Sequence, residues 1–206
     1  MIINEGFKPK RKANEKLPPG QYEETGFPVL SLGPTPKIDL GEWRLVVDGL
    51  VEKELSWDWK EFAALPAEDV TKDIHCVTKW SKFDTKWRGV PLDHIMDLAG
   101  VSPEATHLIA HSYDGYSTNI PIEDIRAGGP GKAGSQAWVA YLYDGKPLEA
   151  EHGGPARLLV PHLYFWKSAK WLKRLEFVKG DKPGFWETRG YHNYGDPWKE
   201  QRYTND

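Results

Sequence analysis

Glycine and proline break this chain so often that long helices are excluded: 20 glycines and 16 prolines are spread through 206 residues. Glycine raises the entropic cost of a regular helix, and proline removes a backbone donor and clashes with the preceding turn. Short strands joined by turns are the expected outcome. The 206 residues fit one domain, because a chain of this size can bury a full core by itself. We therefore expect an N-terminal arm over 1–26 and a single domain over 27–206.

Local patterns agree with that expectation. In "FPVLSLGPTPKIDL", Pro28, Pro34 and Pro36 impose an extended path. Trp43, Leu45 and Val47 alternate on one face, Asp48-Gly49 turns the chain, and Val51 and Leu55 return it as a hairpin. Ser56 is the expected cap of a short helix over "WDWKEFAAL". "DVTKDIHCV" reads as a strand running into a loop. In "PLDHIMDLAG" the residues Leu92, Ile95, Met96 and Ala99 form one helical stripe, opened by Pro91 and stopped by Gly100. "THLIAHS", "AWVAYLYDGKPL", "ARLLVP" and "LKRLEFV" read as strands, "IPIEDI" as one helical turn, and "GGPGKAGSQ" as a flexible loop. Without a repeating strand-helix-strand rhythm, the fold class is α+β, a mixed domain dominated by sheet.

Charge narrows the partner. A net charge of −3 draws the protein to neither nucleic acid nor an anionic membrane. The basic run Lys8, Lys10, Arg11 and Lys12 reads as a solvated tail. No apolar run approaches the roughly 18 residues of a membrane span, and the N-terminus has no apolar signal core. A cytoplasmic protein acting on a small molecule is expected.

The chain's only cysteine, Cys76, sits in "DIHCVTKWS". One thiol forms no internal disulfide and no paired-cysteine zinc site. Three readings stay open: a residue filling an apolar gap, a nucleophile paired with His111, His152 or His162, or a soft metal ligand whose companions arrive with a cofactor. His75 is a poor partner, since neighbours on a strand point to opposite faces. The third reading requires a cradle elsewhere. "EHGGPARLLVPHLYFWKSAKWLKRLEF" offers one: a Gly-Gly-Pro turn, Arg157, then aromatics interleaved with Lys167, Ser168 and Lys170.

Together, "IHCVTKWS", "HGGPARLLVPHLYFWKSAKWLKRLEF" and "GFWETRGYHNYGDPW" resemble the sulfite-oxidase-fold molybdenum-cofactor proteins, particularly their short bacterial sulfite-oxidase-like members. The resemblance spans roughly residues 27–200. It implies the sulfite oxidase molybdopterin-binding fold, a bound molybdenum pyranopterin (molybdopterin) and oxidoreductase activity with two-electron oxygen-atom transfer. Cys76 matches the metal-ligating and catalytic cysteine. His152 stands where a reductase branch has a pterin-contacting asparagine, and Arg157 matches a cofactor-binding arginine. Phe165, Trp166 and Lys167 match a Gly-Phe-Lys cofactor segment, Lys170 follows as a second cation, and Ser112 matches a cofactor-contacting threonine.

Where animal and plant sulfite oxidases place arginines for their anionic substrate, this chain has Val77, Thr78, Lys79 and Trp80. The Cys-Val-x-x-Trp-Ser run is closer to the methionine-sulfoxide reductase branch. Lys79, Trp80, His111 and Tyr113 are the expected lining of the substrate entrance. No haem is expected, so an external electron donor or acceptor protein is implied. The alternatives are a cofactor-binding or electron-transfer module without turnover, and a cysteine hydrolase.

Overall fold

The computed structural model describes residues 16–126, 134 and 136–206. The basic run at Lys8–Lys12 and most of the expected 128–136 loop lie outside the described residues. In chain order the strands are β1 (Tyr22–Glu23), β2 (Arg44–Gly49), β3 (Leu55–Asp58), β4 (Glu68–His75), β5 (Trp80–Pro91), β6 (His107–Ser112), β7 (Ser117–Pro121), β8 (Trp138–Tyr143), β9 (Lys146–Pro147), β10 (Arg157–Leu159) and β11 (Leu172–Val178). Helices α1 (Trp59–Ala63), α2 (Leu92–Ala99) and α3 (Ile122–Ile125) are short.

Two sheets result. One has the path β1-β5-β8-β10, with β4 also on β5 and β9 on β8; the other runs β3-β2-β11-β6-β7. Most neighbours are antiparallel, but β1 joins β5 and β11 joins β2 in parallel. Pairing of Tyr22 with Trp80 means that the segment expected as an arm is laid along the domain from residue 16 onward.

Local rules explain several boundaries. Trp43, Leu45 and Val47 are fully buried on one face, and β2 returns as β3 with Val47 opposite Leu55. The return begins at Leu55, whereas Val51 bridges Val101. Ser56 is not the cap of α1: it is paired with Val46 inside β3. Asp58 caps instead, accepting from Glu61 N while Glu61 accepts from Asp58 N, so two orphan amides are satisfied reciprocally.

Helix α2 buries Leu92, Ile95, Met96 and Ala99 completely and ends on left-handed Gly100. Each large apolar side chain buried there contributes about 1.5–3 kcal/mol. An isolated helix of its 8 residues would not hold, so packing rather than propensity maintains it. These residues belong to a large core with β2, β6, β11 and the inner ends of β5 and β8. A second cluster is aromatic, with Trp80, Trp87, Trp138, Tyr164 and Trp166 around Ile74, Cys76 and Leu159. That second cluster backs the functional site. Among the described residues no helix is long and apolar enough to cross a membrane.

Candidate functional site

Cys76 lies in the four-residue connection between β4 and β5. Its amide donates to Trp80 O at 2.8 Å, and Lys79 N returns to Cys76 O at 3.0 Å. This closure places Lys79 at φ 77°, in the left-handed region. Thr78 Oγ1 donates to Cys76 Sγ at 3.2 Å. The cysteine is only 7% exposed. Burial pushes its thiol up, while the Thr78 hydroxyl and the nearby Arg202 charge favour the thiolate.

Beside this loop is a cleft of about 250 Å³. Val77, Thr78 and Trp80 form one wall, and Ser112, Asp114 and Tyr116 enter from the β6–β7 connection. His152 comes from the turn before β10, Arg157 opens β10, and Phe165, Trp166, Lys170 and Trp171 come from the connection between β10 and β11. Trp186 and Tyr191 line the same cleft from the C-terminal segment.

Gly153 sets the close approach of two of these turns. Its φ is 105°, and a Cβ there would come within 2.9 Å of Lys170 Cβ. Trp171 N donates to its carbonyl at 3.1 Å. A side chain at 153 would push Lys170 off the cleft wall.

Arg157 is the most unusual charge in the protein. It is 1% exposed, yet its Nη1 donates to His152 O at 2.8 Å and its Nη2 to Ser168 O at 2.7 Å. Its guanidinium lies 4.1 Å from the Phe165 ring centroid. Among the described residues its partners are carbonyl oxygens and ring faces, with no carboxylate in contact. Burial lowers its pKa to about 9. Lys170 is brought down to about 8, first by burial and then by Arg157. Its Nζ donates to Leu30 O at 2.8 Å and Glu151 O at 2.7 Å. His152 stacks on Phe27 at 4.0 Å, and burial together with Arg157 and Lys170 keeps its pKa low. Two cations and a neutral imidazole thus share one side of the cleft, with Asp114 the acidic residue among its lining. Such a wall favours an anion.

Of the residues expected from sequence, Ser112, His152, Arg157, Phe165, Trp166 and Lys170 line the cleft; Cys76 is not itself among the lining residues, and its loop reaches the cleft through Val77, Thr78 and Trp80. Lys167 does not reach it. Its side chain is fully buried, and Nζ meets Glu187 Oε1 at 2.6 Å, Asn119 O and Oδ1 at 2.9 Å, and Asn193 O at 2.7 Å. Its three donors are already taken, which removes it as a free cation for a phosphate.

The expected entrance residues also divide. Trp80 lines the cleft and Lys79 is exposed beside it. His111 instead meets Glu176 at 3.0 Å, and Tyr113 exchanges hydrogen bonds with the Arg44 backbone. His75 is turned to Ser81 Oγ at 2.8 Å. Sequence reasoning missed the strap Phe27, Pro28, Leu30, Ser31 and Leu32, and the tail residues Trp186 and Tyr191, all on the cleft wall. The strap's signal was a proline-set extended run whose apolar residues had no strand partner. The tail's signal was the aromatic density of "GFWETRGYHNYGDPW".

Comparison with known proteins gives a consistent answer. The sequence model of the oxidoreductase molybdopterin binding domain matches residues 32–186. An uncharacterized oxidoreductase of Bacillus subtilis, YuiH, is 44% identical over 192 residues, covering 93% of each chain. A putative protein-methionine-sulfoxide reductase subunit of Azospira oryzae, YedZ1, is 34% identical over 77% of this chain and 58% of its own. Inducible nitrate reductase [NADH] 1 of Glycine max is 28% identical over 71% of this chain, which spans 19% of that enzyme. In structure, the sulfane dehydrogenase SoxCD of Paracoccus pantotrophus superposes with a TM-score of 0.61 at 24% identity, over 71% of this chain and 40% of that one. That likeness concerns the fold, the mixed, mostly β domain expected of the sulfite oxidase class.

Proposed function

Because the chain belongs to the oxidoreductase molybdopterin-binding domain family, we propose that it is a molybdenum-pterin-dependent oxidoreductase performing two-electron oxygen-atom transfer on a small substrate. The observation that carries this reading is Arg157, a buried guanidinium held by carbonyls at the wall of a cleft that the loop of the only thiol also lines. A buried cation without an acidic partner is costly until an anion arrives. A phosphate-bearing cofactor brings one, and its sulfurs supply what a single cysteine lacks.

The residues fit that group. Ser112 Oγ and Trp80 Nε1 are buried on the cleft-lining residues without a hydrogen-bond partner among the described residues, so polar contacts there await a ligand. When bound, the molybdenum pyranopterin supplies the two-electron chemistry. Cys76 would bind the metal as a thiolate, releasing its proton, with the Thr78 hydroxyl at 3.2 Å stabilising the sulfur charge. Arg157 and Lys170 would hold the phosphate, His152 and Phe165 the pterin side, and Trp166 the wall beneath. Trp80, Trp186 and Tyr191 would cover the bound group with apolar surface on the cleft wall. Electrons would pass to or from an external partner protein, in the cytoplasm, where a single thiol stays reduced.

The test is elemental analysis and pterin fluorescence on protein made in a cofactor-competent host, followed by turnover with sulfite and with S- or N-oxides using artificial electron carriers. Molybdenum and pterin in equal amounts, with turnover on one of these substrates, are expected. Protein without either sinks the assignment. A loaded protein that never cycles would be a binding or electron-transfer module.

Lys170 gives the cradle a pH dependence. Its ammonium, lowered to about 8, is charged below that pH and neutral above it. Cofactor retention on dialysis should therefore weaken as pH rises through about 8, and Lys170→Met should flatten the dependence. For the cofactor-free protein the sign is opposite. Between about 8 and the ordinary lysine range the unfolded chain binds the proton that the folded one has lost, so stability rises with pH there. The melting temperature of the parent relative to Lys170→Met should rise across this window, and a difference that falls would contradict the assignment of the shift to Lys170.

A further inference from the structure

The Cys76 loop is closed from outside by the two ends of the described chain. Arg202 is only 7% exposed, and its Nη1 donates to the Val77 carbonyl at 2.8 Å. Its Nη2 reaches Pro19 O and Gln21 Oε1, each at 3.3 Å, and the guanidinium lies 5.0 Å from the Tyr164 ring centroid. Gln21 in turn donates from Nε2 to Cys76 O at 3.0 Å and to Trp80 O at 3.4 Å. Three carbonyls of the five residues from Cys76 to Trp80 are therefore held by one guanidinium and one carboxamide.

Arg202 is itself fixed by a local turn. Asp206 accepts from Arg202 N at 3.0 Å and from Tyr203 N at 2.7 Å, and His192 N donates to Arg202 O at 3.1 Å. A planar, multi-donor fork suits this position, because it serves two segments at once where an ammonium acts as a point charge. Neither Arg202 nor Gln21 lines the cleft. Their burial and bonding are directed at the loop's backbone. Fixing the Val77 carbonyl fixes the plane of the 77–78 peptide, and that plane sets where Thr78 meets the Cys76 sulfur.

We propose that Arg202 and Gln21 form a backbone clamp that fixes the Cys76–Trp80 loop, and with it the position of the Cys76 thiol, acting through the Val77 and Cys76 carbonyls without touching substrate or cofactor. The clamp rests on the reading of Cys76 as the protein's ligand to the metal. It makes the C-terminal turn a positioning element of the site.

The test compares Arg202→Gln, Gln21→Ala and Cys76→Ala with the parent. In cofactor-free protein, hydrogen exchange at the Cys76 and Lys79 amides should be roughly ten- to a hundredfold faster in each clamp variant, as expected on losing a hydrogen bond from a charged or buried donor, while α2 exchanges as in the parent. In loaded protein, the electron paramagnetic resonance signal of the bound molybdenum should shift, with kcat lowered and KM unchanged. Parent-like loop exchange together with a parent-like signal overturns the clamp. Should Arg202→Gln fail to fold, Gln21→Ala decides by the same two readouts. Cys76→Ala separates the two ideas: if it leaves the metal signal unchanged, the ligand reading falls; if it alters the signal while the clamp variants match the parent in both exchange and signal, the clamp falls alone.

Discussion

Cys76→Ala should keep its pterin and lose turnover by at least about a hundredfold, since even outer partners of metal ligands are worth ten- to a hundredfold and this change removes a ligand. The two effects separate because the site has two halves. The thiol sits in the β4–β5 connection, whereas the cations that would hold the phosphate come from the start of β10 and the turn before β11. The substitution is also mild for the fold: it deletes one sulfur at the edge of the aromatic cluster and one acceptor from Thr78. A melting temperature near the parent's is expected. The complementary change, Arg157→Met, should do the reverse, lowering pterin content roughly ten- to a hundredfold through loss of a charged hydrogen-bonding group. Pterin fluorescence per protein and activity per molybdenum measure the two losses independently. If Cys76→Ala turns over at the parent's rate when loaded, the metal takes no ligand from this residue.

What the sequence makes legible, and what it hides, follows from the range of the interactions. Helix α2 is readable because its stripe and its Gly100 stop are written within ten residues. The Asp58 cap is not, although Ser56 and Asp58 are both good capping residues, because the choice is made by pairing of Ser56 with Val46 in the sheet. Strand β5 hides for a related reason. "WSKFDTKWRGVP" is rich in charge, and register shifts against β4 and β8, at Lys72/Ile74 and Arg88/Gly89, break the alternation that marks a strand.

The site divides in the same way. Cys76, His152, Arg157 and Lys170 stand in short strings whose chemistry is local. The strap Phe27–Leu32 joins them through Lys170, 140 positions from Leu30, and Arg202 joins them 125 positions from Val77. No window of sequence contains those pairings. Lys167 shows the converse. Its string looks like a phosphate clamp, yet its ammonium is taken up by Glu187 and by the backbone of Asn119 and Asn193, partners 20 to 48 positions away.

Lys167→Met should therefore act on stability before it acts on the cofactor. Its ammonium is fully buried, with Glu187 Oε1 at 2.6 Å, and the same carboxylate oxygen accepts from Thr118 Oγ1 and Trp166 Nε1, each at 2.9 Å. Burial lowers the lysine's pKa and Glu187 opposes the shift. Removing the cation leaves a carboxylate uncompensated in the interior, together with the carbonyls of Asn119 and Asn193. Breaking such a pair costs about 3–5 kcal/mol. At about 2–4 °C per kcal/mol for a chain of this size, the melting temperature should fall by roughly 6–20 °C. Adding Glu187→Gln should recover much of the loss, because it removes the stranded charge while its amide oxygen still accepts from Trp166 and Thr118. Thermal melts of the two single variants and the double variant measure that coupling directly. A Lys167→Met protein that melts like the parent but has lost its pterin would return this side chain to the cofactor and contradict the buried pair. The expected pattern is the opposite, because the pair ties the 165–167 turn to the C-terminal segment and so holds Phe165 and Trp166 on the cleft wall.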